Sequence, residues 1–334
     1  MPPFAGDRVL CCGRFGARAR IGTVALPDST VAGRGQPGPG PRRFVVASAM
    51  ALASSAAFGT LPIFGKYAYA AGLSPQQFLS FRFLVSAAAV LLLGAALGER
   101  VVSIGRARVA CLLLMGGLGY FTASITLFVA LQTLPASLCE LMQFVYPALV
   151  ALEAWLFFKR PLTAVQAGAL ALSIGGAALL IGGVAFKFDL AIGLLLLCPV
   201  AYSLYLVAGE RVMSSLPPLS SSGLVVLGAA ISFTIAAAVS GQFKPPTSAQ
   251  QWSILLVATA VTGILAIPLL LTALPHIGSG PASVIGLAEP AVTVLLAGVL
   301  LGERLGLTQI VGAVLVLIAI LLLQLRRPVT PQTP

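Results

Sequence analysis

The stretch Y-P-A-L-V-A-L-E-A-W-L-F-F-K-R-P-L-T-A-V-Q-A-G-A, residues 146–169, recurs in altered form as E-P-A-V-T-V-L-L-A-G-V-L-L-G-E-R-L-G-L-T-Q-I-V-G-A at residues 289–313. Pro147 pairs with Pro290, and both copies end on Gly-Ala after a gap of one residue. Each copy is a hydrophobic segment interrupted by a proline. Duplication of such a unit is typical of membrane transporters that consist of two similar halves.

The composition is that of a polytopic membrane protein. Hydrophobic residues make up 58% of the 334 residues and charged residues only 9%, against roughly a quarter in soluble domains. A helix needs about 20 apolar residues to cross a bilayer. We predict ten spans, at residues 44–66, 76–97, 107–129, 136–157, 163–184, 188–209, 219–240, 251–272, 281–301 and 305–325.

The basic residues predict the orientation. With the N-terminus inside, the cytoplasmic segments hold fifteen Lys and Arg and the opposite segments hold four. The net charge of +11 is therefore mostly a topology signal, and we see no folded basic surface for a nucleic acid. We expect a multi-pass protein of the cell membrane with both termini in the cytoplasm.

Five spans in each half is an odd number, so the second half is inverted relative to the first, which is the architecture expected of alternating access. We predict a basic, disordered cytoplasmic tail at 1–43, five-helix repeats at 44–187 and 188–326, and a short cytoplasmic tail at 327–334. A translation start upstream of the natural one is an alternative explanation of residues 1–43.

The five cysteines do not predict a metal site. Cys111, Cys139 and Cys198 fall on three different spans, and none has ligand spacing. Thiols packed among apolar side chains are the favoured interpretation. We expect no metal and no cofactor.

Several further motifs support a family resemblance. They are F-G-T-L-P-I-F-G-K (58–66), L-S-P-Q-Q-F-L-S-F-R-F (73–83), A-Y-S-L-Y-L-V-A-G-E-R (201–211), L-A-E-P (287–290) and L-G-E-R-L (301–305). The sequence resembles the ten-helix EamA-type permeases of the drug/metabolite transporter superfamily. The resemblance implies an all-α bundle with a central cavity lined by spans 1, 3, 4, 6, 8 and 9. One departure is Lys159-Arg160, where the family often has Gly-Glu.

The prolines agree with that cavity. Pro62, Pro147, Pro199, Pro268 and Pro290 fall in spans 1, 4, 6, 8 and 9, and spans 2, 5, 7 and 10 have no internal proline. A proline leaves the carbonyl four residues earlier unpaired, which is tolerated at membrane depth where it lines a wet cavity. By contrast, span 5 has an all-small face, which we predict to be a helix-packing seam. Its members are Gly168, Ala171, Gly175, Ala178 and Gly182.

Glu289 is the strongest candidate for coupling transport to protons. It lies near the middle of span 9, beside Pro290, on a helix that should face the cavity. Burial without a fixed partner favours the protonated form of a carboxyl group, which would suit a proton-coupled step. The alternative is a structural role, with a protonated Glu289 bonded to a neighbouring helix.

Three more ionisable residues are embedded in the spans. Arg82 and Glu140 lie at similar depth, and we predict an ion pair between them that seals the outer side. A substrate contact by Glu140 is the minority interpretation. We expect Glu153 to extend towards the basic loop that contains Arg160.

Polar and aromatic side chains around these acids are candidates to line a substrate site, although helical aromatics are usually core or lipid-facing. They are Ser54, Ser55, Thr60, Tyr120, Thr122, Gln143, Tyr146, Tyr202, Tyr205 and Thr262.

The leading hypothesis is a secondary active transporter, an exporter by the resemblance, of a small metabolite such as an amino acid or related compound. Protons are the candidate coupling ion, lipid is the surrounding partner, and either a monomer or a homodimer fits. The alternative is an intramembrane enzyme or another polytopic membrane protein. The enzyme is disfavoured because the only histidine, His276, is predicted in a loop and no H-E-x-x-H pattern occurs.

Overall fold

The computed structural model describes residues 41–99, 101–158, 162–182, 190–213, 216–277 and 285–325. The described residues form helices joined by short turns, with no strand among them. The predicted tails lie outside the described residues, apart from the end of the first, where helix α1 already begins at Pro41.

Each predicted span is matched by one helix or by two consecutive helical segments, and the first residues of predicted span 9, 281–284, lie outside the described residues. The helices are α1a Pro41–Gly59 and α1b Leu61–Ala70, α2 Pro75–Ala96, α3a Arg106–Leu114 and α3b Phe121–Ala130, α4a Ala136–Gln143 and α4b Tyr146–Phe158, α5 Ala164–Gly182, α6 Leu190–Met213, α7 Pro218–Val239, α8a Ala249–Ala258 and α8b Ala266–Ile277, α9 Ala288–Leu301, and α10 Leu307–Leu325. A short 3₁₀ turn, Val101–Ile104, precedes α3a. Among the described residues, seven helices are long and apolar enough to cross a membrane, and shorter apolar helices stand at the predicted spans 8, 9 and 10. The predicted all-α membrane fold is confirmed.

Irregular backbone is confined to some of the helices. Helices α2, α5, α7 and α10, which lack internal prolines, run without a break. Helices α1 and α4 are interrupted by single turns, and π-helical segments join the two halves of α3 (Met115–Tyr120) and of α8 (Thr259–Leu265). Because α3 and α8 occupy the same place in the two repeats, the π segments are a repeated feature of the fold. Such segments occur frequently at functional sites.

The two halves pack crosswise. Helix α1 lies on α8, and α3 lies on α6, which is the same pairing after exchange of the repeats. Three further pairs, each formed by equivalent helices of the two repeats, complete the bundle. They are α2–α7, α5–α10 and α4–α9. The two-repeat architecture is therefore visible in the packing, and each of these five pairings joins one half to the other.

The prediction that the small face of α5 is a helix-packing seam is wrong. Gly168, Gly175 and Gly182 have open space where a side chain would stand. Helix α5 instead packs through Gly176, where a Cβ atom would lie 2.7 Å from the carbonyl oxygen of Gly312 on α10. The observed seam is therefore displaced by one residue around the helix from the predicted face. Small residues at three-four spacing can face either another helix or lipid, so the spacing alone did not identify the packed face.

Two acids that follow glycine in G-E-R loops cap helices of the opposite half. Glu303 accepts hydrogen bonds from the backbone N–H groups of Ala136 (2.7 Å) and Ser137 (3.0 Å) and from the Ser137 hydroxyl (2.7 Å), at the start of α4a. Glu99 accepts from the backbone N–H groups of Leu219 and Ser220 at the start of α7. A carboxylate satisfies the unpaired N–H groups of a helix start and complements its dipole.

Candidate substrate site at the broken helices

The breaks in α1 and α9 are in direct backbone contact. A Cβ atom on Gly59, the last residue of α1a, would lie 2.6 Å from the carbonyl oxygen of Glu289, in the first turn of α9. The Thr293 hydroxyl donates to the Gly59 carbonyl oxygen at 2.7 Å. Glycine at 59 therefore lets the α1 break reach the residue predicted to couple transport to protons.

Three of the five prolines begin a new helical segment. Pro62 and Pro147 are second in α1b and α4b, and Pro290 is third in α9, after the turn at Leu287. A proline is tolerated there because the first N–H groups of a helix have no partner within it. Pro268 is third in α8b, after a π segment, and only Pro199 lies inside a continuous helix, α6.

Four tyrosines from α3, α4 and α6 form one aromatic cluster where the resemblance places a central cavity. The Tyr146 ring stands edge-on to Tyr202, with 4.9 Å between centroids. Tyr120 lies 5.5 Å from Tyr205 and 6.4 Å from Tyr202, and Tyr202 lies 5.8 Å from Tyr205. These separations are typical of favourable aromatic pairs. The tyrosines, chosen from the sequence as separate candidates, are brought together.

Glu289 and Glu140 lie close to this cluster and to each other. The Glu289 carboxyl group lies within the range of electrostatic interaction with the side chains of Glu140, Tyr120 and Tyr202. Glu140 is only 2% exposed, and its Oε1 has no hydrogen-bond partner. Two carboxyl groups from the paired helices α4 and α9 thus share one region of the interior.

The predicted ion pair between Arg82 and Glu140 is wrong in this structure. Arg82 donates from Nε (3.3 Å) and Nη2 (3.0 Å) to the Thr262 hydroxyl in the π segment of α8, and its guanidinium lies 5.1 Å from the ring centroid of Phe83. Phe83 in turn packs edge-on against Tyr120. Similar depth on two helices did not make the residues neighbours, because the side chains leave their helices in different directions.

Glu153 also departs from its prediction. Its side chain is buried, 8% exposed, and does not extend into the loop. Oε1 lies 2.6 Å from the Ser203 hydroxyl of α6, and Oε2 has no hydrogen-bond partner.

The other residues that were predicted to line the site make only local contacts. Ser55 is buried in α1a, and the Thr60 hydroxyl donates to the Ala57 carbonyl oxygen within the same break. The Gln143 amide oxygen lies 3.8 Å from the Cys198 sulfur. His276, predicted in a loop, is an exposed residue in the last turn of α8b.

Three parts of the site were not predicted from the sequence: the π segments, Thr293 and Phe144. The Phe144 ring lies 6.0 Å from the Tyr146 ring. The run M-G-G-L-G-Y in α3 was the available signal. A Cβ atom on Gly116 would lie 1.8 Å from the Val225 carbonyl oxygen of α7, so only glycine permits that approach. No group of metal-ligating side chains occurs within the described ranges.

The two halves each match one family model, that of the EamA-like transporter family, over residues 46–182 and 189–325. The chain belongs to the EamA-like transporter family. A solved structure known only as "Crystal structure of protein" is 17% identical to this EamA chain and has a TM-score of 0.60, covering 84% of this chain and 97% of its own. That likeness supports the fold alone. No curated protein matches the sequence. The protein is thus a multi-pass membrane transporter of the EamA type.

Proposed function

We propose that this protein is a secondary active transporter that exports a small metabolite, such as an amino acid or related compound, by alternating access. The observation that carries the proposal is the meeting of broken helices from both repeats around four tyrosines and two carboxyl groups. Helix breaks at membrane depth place polar backbone groups where a substrate can bind.

The aromatic cluster and the acids suit a substrate with polar and apolar parts. Tyrosine offers a ring face and a hydroxyl group, and a carboxylate binds an ammonium group. A groove of about 360 Å³ between α3 and α6, lined by Gly119, Leu204 and Tyr205 among others, reaches the same cluster. The groove is open at the surface of the bundle, where Leu114 and Leu118 are exposed, and it borders the cluster at Tyr205.

We also propose where the protein is located and how it is oriented in the membrane. The excess of Lys and Arg in the segments assigned to the cytoplasm supports an orientation with both termini inside, and we propose the cell membrane as the location. A small-molecule substrate, protons and lipid are the proposed partners, with neither a nucleic acid nor a cofactor. Because the family consists of transporters, we propose that the protein is not an enzyme.

A ligand thermal-shift screen of purified protein tests the proposal. Amino acids, purines, sugars, organic acids and cationic drugs are each added to wild type, to Glu289→Gln and to the matched Glu289→Asp. A ligand at ten times its Kd stabilises the protein by about 1.4 kcal/mol. We expect a hit that is lost in Glu289→Gln and weakened in Glu289→Asp; a hit that persists in both would remove Glu289 from the site.

A further inference from the structure

A second buried carboxyl site lies on α4b, away from the Glu140 and Glu289 pair. Glu153 is two turns after Tyr146 and therefore on the same face of α4b. Tyr146 contacts Tyr202 of α6, and Glu153 contacts the next residue, Ser203. The same helix–helix interface thus leads from the aromatic cluster to Glu153, roughly 10 Å further along α4b at about 1.5 Å per residue.

The contacts of Ser203 accommodate a proton on Glu153. The Ser203 oxygen lies 2.6 Å from Glu153 Oε1 and 2.9 Å from the Val200 carbonyl oxygen, and both are hydrogen-bond distances. A serine hydroxyl has one hydrogen, and a backbone carbonyl can only accept. When Ser203 donates to Val200, a protonated Glu153 can donate to Ser203, and each contact then has a hydrogen of its own; with an ionised Glu153, the two acceptors share the one hydrogen of Ser203.

The surroundings of Glu153 favour the same arrangement. Helix α4b packs against α5, α6 and α10. The described residues of α5 and α10 include no charged, His, Cys or Tyr side chain. On α6 the ionisable residues are Cys198, Tyr202, Tyr205, Glu210 and Arg211, of which the last two have side chains outside the description. No described cation faces Glu153, and an ionised carboxylate with one oxygen unpartnered costs more free energy to bury than a neutral acid does.

We propose that Glu153 and Ser203 form a second proton-binding site, separate from Glu289. On the orientation proposed above, it lies in the half of the bundle that faces the cytoplasm. Its role rests on the proposed function: a proton that enters at Glu289 binds next at Glu153, which releases one proton to the cytoplasm. Protonation of Glu153 itself does not depend on transport.

Infrared absorption of the purified full-length protein tests the site without any substrate. The C=O band of a protonated carboxyl group is separate from the bands of a carboxylate. We expect Glu153→Gln to remove one component of the protonated band and Ser203→Ala to shift that component, since the acid loses its hydrogen-bond acceptor. Loss of carboxylate intensity in Glu153→Gln, with the protonated band unchanged, would overturn the proposal.

Glu99→Gln is the matched control. Glu99 accepts from two backbone N–H groups at the start of α7 and is not bonded to Ser203, so its replacement should leave unchanged the protonated component that Glu153→Gln removes. If Glu153→Gln does not fold, Ser203→Ala decides alone: a shifted protonated band supports the site, and an unshifted band contradicts it.

Transport assays separate the site from the proposed function. Absence of pH-driven transport in wild type would contradict proton coupling, whereas the infrared result would still decide whether Glu153 binds a proton. Where wild type is pH-driven, we expect Glu153→Gln to lose that drive and keep its substrate affinity. Full pH-driven transport by Glu153→Gln would remove Glu153 from the proton route.

Discussion

Two helix crossings occupy the same position in the two repeats and have different chemistry. The shift of 143 residues that relates Pro147 to Pro290 also relates Tyr146 to Glu289 and Gly59 to Tyr202. At the α1–α9 crossing, Gly59 lies against the backbone of Glu289. At the α4–α6 crossing, Tyr146 and Tyr202 meet ring to ring. The helix break is thus common to both crossings, whereas the acid belongs to one and the aromatic surface to the other.

A duplicated scaffold can therefore hold a site whose two sides differ in chemistry. Prolines and turns preserve the break in each repeat, because they act on the backbone. The side chains beside the break are free to diverge. Helix α4 has acids before and after its break, at Glu140 and Glu153, and α9 has one acid at the break itself.

The ring contact at the α4–α6 crossing should contribute most to stability. Tyr202→Ala removes packing with three tyrosines, and we expect it to lower the free energy of unfolding by about 3 kcal/mol. Tyr202→Phe keeps the ring and should cost less than about 1 kcal/mol. Thermal or denaturant unfolding of purified protein measures both. Equal stability of the Ala variant and wild type would show that the rings are not packed as described.

The backbone contact at the α1–α9 crossing should tolerate no side chain. Gly59→Ala places a Cβ atom 2.6 Å from the Glu289 carbonyl oxygen, and we expect a cost of about 1–3 kcal/mol from overpacking. Gly193→Ala in α6 is the control, because that glycine has open space around it. If the two variants are equally stable, the close crossing is contradicted.

Thr293 distinguishes the α9 break from the α4 break by a single hydroxyl group. The same shift relates it to Val150, which cannot donate a hydrogen bond. Thr293→Val should therefore cost about 1 kcal/mol, through loss of the bond to the Gly59 carbonyl oxygen. Val150→Thr is the reciprocal variant. An unfolding midpoint unchanged by Thr293→Val would exclude this hydrogen bond as a support of the break.

The sequence allowed the ten spans, the repeat and the tyrosines to be predicted. Apolar length sets a span, and internal similarity reveals a repeat, so neither needs tertiary contacts. The π segments, the true seam at Gly176 and the partner of Arg82 could not be predicted in the same way. Each depends on which face of a helix meets a neighbour, and depth along a helix does not specify direction around it.

For the embedded acids, too, the position along the chain could be predicted and the neighbouring side chain could not. Glu289 and Glu153 were identified as embedded carboxyl groups from the sequence. That Glu153 would lie against Ser203 instead of extending to the loop depends on how closely α4b packs against α6. A long polar side chain near a helix end is compatible with either direction, so packing decides between them.

Proton-driven flux in proteoliposomes tests the central claim, that the acid at the α9 break couples transport to protons. Once the screen has provided a substrate, its transport is followed under an imposed pH gradient in wild type, Glu289→Gln and Tyr146→Phe. We expect pH-driven flux in wild type and in Tyr146→Phe, and none in Glu289→Gln. Undiminished pH-driven flux in Glu289→Gln would contradict this claim.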